Sequence, residues 1–264
     1  MLDIFQYELM QKAFLVGILL AVIIPLIGVI VVLKRLSMIG DALSHTSLAG
    51  VALGLVLGIN PIVGAVLVCV IAAFSIEAIR RRLPRYAEIS ISIIMSVGIG
   101  LASVLSGFVE DGAAFNSFLF GSIVAITDTE VALVVIVTVI VVVTFFLLYK
   151  ELMFITFDEP GAVLAGIPVK KINFVITLLT AITVSVAARS VGALIVSSLM
   201  VIPVACAMQL ANSYKKTVIF SVLFALLFTI VGLFLSYYFN LKPGGTIVLT
   251  GVVVLIPLMI WKKE

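Results

Sequence analysis

Stretches of about 20 mostly apolar residues recur along this chain and are separated by short segments that carry most of its charges. A helix of that length spans the roughly 30 Å hydrocarbon core of a bilayer, because each helical residue rises about 1.5 Å. The sequence therefore predicts an all-α fold, a polytopic bundle of eight or nine spanning helices in a single membrane domain over residues 1–264. The nine candidate segments are residues 12–33, 39–58, 61–79, 87–108, 129–149, 172–188, 191–211, 217–239 and 245–261.

The composition excludes a soluble globular protein. Of the 264 residues, 64% are hydrophobic and only 11% are charged, and the mean hydropathy is +1.40. Such a chain cannot supply the polar surface that water requires, whereas lipid is an apolar solvent. Cys69 and Cys206 both lie inside apolar runs, which favours two small buried side chains over a disulfide or a metal pair.

The basic residues predict the orientation of the chain in the membrane. If the N-terminus lies outside, threading the chain through the spans places thirteen of the 16 lysines and arginines on one side. Basic residues concentrate on the cytoplasmic side of membrane proteins. We therefore expect a multi-pass protein of a bacterial cytoplasmic membrane, with its N-terminus outside and its C-terminus in the cytoplasm. The three exceptions are Lys12, Arg189 and Lys242.

Two short segments do not fit the pattern of spans. The apolar stretch "FLFGSIVAI" at residues 118–126 is too short to cross a bilayer and indicates a re-entrant or half-buried outer helix. On the basic side, Asp158 and Glu159 precede Pro160, and Gly166 follows the stretch "GAVLA". Acids and proline favour a helix start and glycine a helix end, so a short cytoplasmic helix is predicted there. It is either a docking element for a soluble partner or an ordinary surface helix.

Asp41 and His45, the chain's single histidine, interrupt the second apolar segment. Four residues apart, they share one helix face, so a carboxylate and an imidazole can approach the same cation. This pair suits Zn²⁺, Mn²⁺ or Fe²⁺, and Ser44, Ser47 or water could complete the coordination. A weakly liganded ion also leaves quickly enough to permeate. The alternative is a structural pair that joins helices by hydrogen bonds.

The sequence disfavours an enzyme with its own energy source. One histidine cannot form an HExxH zinc site, and the chain has no GxxxxGK[ST] loop for nucleotide. We expect no permanently bound cofactor and no nucleic-acid partner, and any ATP must be bound by another subunit. Ser197 and Ser198, ahead of Pro203, are candidates for lining a pathway or for close helix packing.

Five motifs resemble, in order and spacing, the permeases of ATP-driven (ABC) importers of zinc, manganese and iron. "GDALSHTSLAG" is the most specific of them, and "SHTSLAGVALG" is closer to zinc permeases than to manganese permeases. Two departures are Ala49, where the family often has proline, and "FDEP" in place of the more frequent "FDPE". The motifs lie at residues 40–50, 118–126, 157–168, 191–207 and 244–249.

The resemblance implies a homodimeric permease with two cytoplasmic ATPase subunits and an extracytoplasmic binding protein that delivers the metal. It implies that Asp41 and His45 line the metal pathway and that Glu88 is an acidic residue opening the fourth span. It also implies that residues 157–168 contact the ATPase. A secondary transporter driven by a proton or sodium gradient is the competing hypothesis, and an intramembrane enzyme is a weaker one because a single Asp and a single His lie in the spans.

Overall fold

A computed structural model describes residues 7–83, 86–110, 112–121 and 126–261, and this part of the chain forms twelve helices. In chain order they are α1 (Glu8–Leu33), α2 (Ile39–Val56), α3 (Pro61–Arg82), α4 (Ala87–Ser106), α5 (Gly112–Phe120), α6 (Asp128–Leu147), α7 (Tyr149–Phe157), α8 (Glu159–Leu164), α9 (Val169–Val191), α10 (Ala193–Leu210), α11 (Tyr214–Phe239) and α12 (Pro243–Trp261).

The nine predicted spans correspond to α1–α4, α6 and α9–α12. Eight of these helices are long and apolar enough to cross a membrane, and α10 is apolar over Ile195–Leu210. Pro25, Pro203 and Pro257 each lie inside a continuous helix. The all-α polytopic bundle is therefore confirmed.

Ion pairs between distant helices show which helix ends lie together. Lys12 at the start of α1 contacts Asp128 at the start of α6 at 2.7 Å. The opposite end of α1 lies beside α8, since Lys34 contacts Glu159 at 2.9 Å. At both contacts, the elements that meet are ones that the predicted threading of the spans places on the same side of the membrane. We call the end with Lys34, Arg80, Lys150, Lys170 and Lys215 the basic end, and the end with Lys12 and Arg189 the opposite end.

The centre of the bundle is formed by α1, α2 and α9. In the most apolar part of α1 and of α2, 72% of the residues are buried, and in α9 the fraction is 67%. It falls to 28% in α4 and α6 and to 22% in α12. Because these outer helices are apolar on all sides, their exposed faces suit lipid or another membrane-embedded chain.

Close packing against α3 fixes the rotation of α2. A Cβ atom added to Gly50 would lie 2.5 Å from the carbonyl oxygen of Gly64, so only glycine allows this approach. Seven residues earlier on α2, the carbonyl of Leu43 accepts a hydrogen bond from the thiol of Cys69 at 3.1 Å. Cys69 and Cys206 are both free and buried, as the apolar runs around them predict.

Two short helices differ from the sequence prediction. The helix expected over residues 118–126 is α5, which ends at Phe120; residues 122–125 lie outside the described part of the chain. Gly121 has φ +75°, a conformation that terminates helices, and its backbone lies directly against Val191. Helix α7 is not predicted at all. It forms because Leu152 and Ile155 are buried in the core at the basic end.

Candidate functional site

A tight turn between α1 and α2 positions the two intramembrane ionisable residues. The N–H of Leu36 donates to the carbonyl of Val31 at 2.8 Å, and the N–H of Arg35 donates to that of Val32 at 3.0 Å. These bonds form a Schellman motif, which usually has glycine where Arg35 has φ +58°. The turn reverses the chain within a few residues, so Asp41 is the third residue of α2.

The start of α2 lies beside the middle of α10 rather than beside its end. Cβ atoms added to Gly28 of α1 and to Gly40 of α2 would both meet Met200, the eighth residue of α10. Asp41 follows Gly40 directly. The carboxylate is therefore placed at the level of the middle of α10.

Asp41 and Ser197 are brought together from distant parts of the sequence. The hydroxyl of Ser197 donates a hydrogen bond to Oδ1 of Asp41 at 3.1 Å. Asp41 remains half-buried, and a carboxylate can accept several further bonds. One neutral donor therefore leaves most of its coordinating capacity available to a cation.

His45 lies one turn further along the same face of α2 and is also half-buried. Within the described part of the chain its imidazole has no hydrogen-bond partner. The described residues contain no cluster of three or more His, Cys, Asp or Glu side chains that could hold a metal ion. Asp41 and His45 are therefore two candidate ligands, and their role as metal ligands stays a prediction.

The neighbouring hydroxyls differ in their surroundings. Ser44 and Ser47 are fully buried, and the hydroxyl of Ser44 has no hydrogen-bond partner among the described residues. Such an unsatisfied buried hydroxyl commonly binds water or an ion. Ser198 is half-buried on α10 next to Ser197. A coordinating role for these serines stays a prediction.

Glu88 is not brought to the pair. It lies in the first turn of α4 and is exposed. The close contact of α4 with α2 is at Gly98, where an added Cβ would lie 2.9 Å from the backbone nitrogen of Thr46. Ten helical residues separate Glu88 from Gly98, which is about 15 Å along the helix. A pathway role for Glu88 stays a prediction. If it has one, it acts at a position separate from Asp41 and His45.

The short helix α8 at the basic end matches the predicted capping residues. The carboxylate of Asp158 accepts a hydrogen bond from the N–H of Gly161 at 2.9 Å, and Pro160 lies in the first turn. Gly166 has φ +81° and ends the helix. Outward from the bundle, Leu164 is 89% exposed and Val163 is exposed as well. An apolar surface of this kind outside the spans indicates a contact site.

Lys34 and Asn173 anchor α8 to the bundle, and neither role is recognisable from the amino-acid sequence. The ammonium of Lys34 contacts Glu159 at 2.9 Å and donates to the amide oxygen of Asn173 at 2.8 Å. The amide nitrogen of Asn173 donates to Glu159 at 3.1 Å, which closes a triangle. Burial lowers the pKa of Lys34, and the Glu159 carboxylate acts in the opposite direction.

At the opposite end, Arg189 joins three helices. Its guanidinium contacts Glu130 of α6 at 3.0 Å and the hydroxyl of Ser117 of α5 at 2.8 Å. The same group lies over the ring of Phe118, 4.7 Å from its centroid. From the sequence, Arg189 is simply a basic residue on the less basic side. In the structure it links α5 to α6 and α9, in addition to the apolar packing of α5 through Phe118.

The sequence comparisons cover nearly the whole chain. The model of a family described as the ABC 3 transport family matches residues 6–262. The chain is 36% identical over 252 residues to a probable metal transport system membrane protein of Treponema pallidum, with 95% of this chain and 94% of that protein covered.

Two further relatives have names that specify a metal. The chain is 31% identical to the manganese transport system membrane protein MntC of Listeria monocytogenes, with 94% of this chain and 89% of that protein covered. It is 30% identical to the high-affinity zinc uptake system membrane protein ZnuB of Haemophilus influenzae, with 98% and 99% covered.

A solved structure, PsaBC from Streptococcus pneumoniae in complex with Fab, has a similar chain. The TM-score is 0.86 at 28% sequence identity, and the match covers 97% of this chain and 92% of that one. The likeness therefore extends over the helices that carry Asp41, Ser197 and Lys34.

Proposed function

The chain belongs to the ABC 3 transport family, and from this premise we propose that it is the permease subunit of an ATP-driven importer of a divalent metal ion. The observation that carries the proposal is the pair Asp41 and His45, one turn apart and half-buried beside the middle of α10. Ionisable side chains are costly inside a membrane, and they usually face a cavity or a pathway. Relatives named for metal transport support the same assignment.

In this proposal the metal ion passes Asp41 and His45 as transported substrate. The carboxylate and the imidazole replace part of the ion's hydration shell, and water or hydroxyl groups keep the rest. A site with only two protein ligands releases the ion readily. A second copy of the chain completes the pathway, with the exposed faces of the outer helices available for the contact.

Zinc is the proposed substrate, with manganese and iron as the alternatives. The stretch "SHTSLAGVALG" around His45 supports zinc, and imidazole with carboxylate is a common zinc ligand set. The relatives include proteins named for zinc and for manganese at nearly equal identity. The same ligand types also accept Mn²⁺, so competition between the ions is the deciding measurement.

The partners follow from the two ends of the bundle. We assign the basic end to the cytoplasm of a bacterial cell, where α8 and its exposed Leu164 dock on an ATPase subunit. Two such subunits serve the two permease copies. The opposite end, with α5 held by Arg189, then faces outward and receives the ion from a binding protein.

Reconstitution tests the proposal directly. Proteoliposomes that contain the chain, its ATPase and its binding protein should accumulate radioactive Zn²⁺ only when ATP is supplied. The double change Asp41→Ala and His45→Ala should abolish uptake. Asp128→Ala is the matched control, because it removes an exposed carboxylate whose partner Lys12 retains Glu8. Full uptake by the double variant, or uptake driven by an ion gradient without ATP, would contradict the proposal.

A competition assay identifies the metal. Uptake of radioactive Zn²⁺ is measured against increasing unlabelled Zn²⁺, Mn²⁺ and Fe²⁺ under reducing conditions. The zinc assignment requires unlabelled Zn²⁺ to compete at the lowest concentration. If Mn²⁺ or Fe²⁺ competes better, that ion is the substrate and the role of Asp41 and His45 is unchanged.

A further inference from the structure

A closed triangle of polar contacts joins three elements at the basic end. Lys34 ends α1, Glu159 begins α8 and Asn173 lies in the first turns of α9. Each member contacts the other two, at 2.8 Å, 2.9 Å and 3.1 Å. The side chain of Lys34 is only 10% exposed, so its charge is well shielded from water. Helix α8 is thus held by a shielded ion pair as well as by apolar packing.

The other carboxylate nearby is already paired. The triangle lies on the wall of a cavity of about 380 Å³, and Leu36, Glu77, Arg80, Arg81 and Lys170 line the rest of it. Glu77 contacts Arg80 at 2.7 Å and Arg81 at 3.3 Å. Glu159 is consequently the carboxylate with which Lys34 forms its ion pair. A displacement of Glu159 acts directly on Lys34.

Lys34 is connected to the ionisable pair by a very short and ordered segment. The Schellman turn at Arg35 and Leu36 begins at the next residue. The N–H of Ile39 then donates to the carbonyl of Leu36 at 2.9 Å, and α2 begins at Ile39. Arg35 holds φ +58°, which a non-glycine residue adopts only when its surroundings require it. Because the segment has little slack, a movement of Lys34 shifts the start of α2.

We propose that Lys34 is a positioning residue that transmits the movement of α8 to Asp41 on α2. This proposal rests on the proposed function, in which α8 docks on the ATPase and Asp41 lines the metal pathway. When the ATPase moves α8, the Glu159 carboxylate pulls the Lys34 ammonium, and the turn carries the displacement to α2. Asn173 of α9 bonds to both charged groups and keeps them aligned. Lys34 does not contact the metal.

The test distinguishes a loss of coupling between ATP hydrolysis and transport from a loss of ATPase binding and from a loss of folding. Lys34→Met removes the charge and keeps an unbranched apolar chain, and Lys170→Met is the matched control because it removes an exposed lysine of the same cavity. For each variant in proteoliposomes with its ATPase and binding protein, we measure Zn²⁺ taken up per ATP hydrolysed. Co-purification of the ATPase and the midpoint of thermal unfolding are measured in parallel.

Lys34→Met should retain the ATPase and its hydrolysis but lower the Zn²⁺ uptake per ATP about tenfold, within the range typical of coupling between two sites. Lys170→Met should behave as wild type. The charge exchange of Lys34→Glu with Glu159→Lys should recover part of the loss. A purely structural role would change the unfolding midpoint without lowering uptake per ATP.

Unchanged uptake per ATP in Lys34→Met would overturn the proposal. Loss of the ATPase from the complex would also overturn it, because Lys34 would then serve docking. If Lys34→Met does not fold, Glu159→Gln removes the ion pair at its more exposed member and must show the same uncoupling. Failure of the wild type to take up Zn²⁺ with ATP would instead contradict the proposed function, so the two failures are distinguishable.

Discussion

Removing the guanidinium of Arg189 should destabilise the protein strongly. Arg189 and Glu130 form an ion pair at 3.0 Å, with side chains only 19% and 13% exposed. Arg189→Met leaves the Glu130 carboxylate largely buried with the N–H of Thr127 as its remaining bond, at 2.9 Å. Breaking a buried pair by removing one partner costs about 3–5 kcal/mol. The lost hydrogen bond to Ser117 adds about 1 kcal/mol.

Glu130→Gln should be milder than Arg189→Met. Oε1 of Glu130 accepts from Arg189 and Oε2 accepts from the N–H of Thr127, whereas glutamine has a single amide oxygen and can retain only one of these two bonds. Arg189 keeps its contacts with Ser117 and Phe118. The change therefore loses one hydrogen bond and replaces a charged bond with a neutral one, which costs about 1–3 kcal/mol. The double variant Arg189→Met with Glu130→Gln leaves no unpaired buried charge. It should therefore be more stable than Arg189→Met alone.

The assay is reversible unfolding of the purified chain in detergent or bicelles, with the four proteins of the double-mutant cycle measured together. The expected order of stability is wild type, Glu130→Gln, the double variant and Arg189→Met. Refutation is simple to recognise. If the effects of the two single changes add in the double variant, the orphaned carboxylate is not the source of the cost and the reasoning fails.

Two further predictions concern packing and docking. Gly50→Ala should destabilise the protein by about 1–3 kcal/mol, because the added Cβ meets the backbone of α3. Gly100→Ala is its control, since nothing lies within 4 Å of the added atom, and helix propensity should stabilise this variant by up to about 1 kcal/mol. Thermal unfolding of both variants tests the prediction, and equal unfolding midpoints would contradict the packing argument. Leu164→Asp should leave the unfolding midpoint unchanged, because the side chain is 89% exposed, but should prevent co-purification of the ATPase that we propose docks on it. Lys170→Asp serves as a control for added negative charge, and retention of the ATPase by Leu164→Asp would place the contact elsewhere.

Much of the site was predictable because it depends on local helix geometry. Four-residue spacing places Asp41 and His45 on one face wherever the helix is located. The capping residues Asp158, Pro160 and Gly166 predict α8 from preferences that act within a few residues. The functional roles of these residues remain predictions, since only their placement is visible in the structure.

The contacts between elements were not predictable in the same way. Ser197 donates to Asp41 across 156 positions of sequence, and Lys34 meets Asn173 across 139. The sequence marked Ser197 as a candidate without a partner, and it marked Lys34 only as a cytoplasmic charge. Helix α7 was missed because its buried residues, Leu152 and Ile155, are too few to give a periodic signal.

The sequence by itself determined the apolar segments that form the long helices, the all-α class and the residues that are costly in a membrane. In lipid, each spanning helix must satisfy its own backbone hydrogen bonds. Its length and apolar character can therefore be predicted from its own residues, without knowledge of its neighbours. The tertiary structure alone decided which faces meet, because helices that are apolar on all sides give no preferred direction. Close approach at small residues and a few shielded polar contacts made that choice.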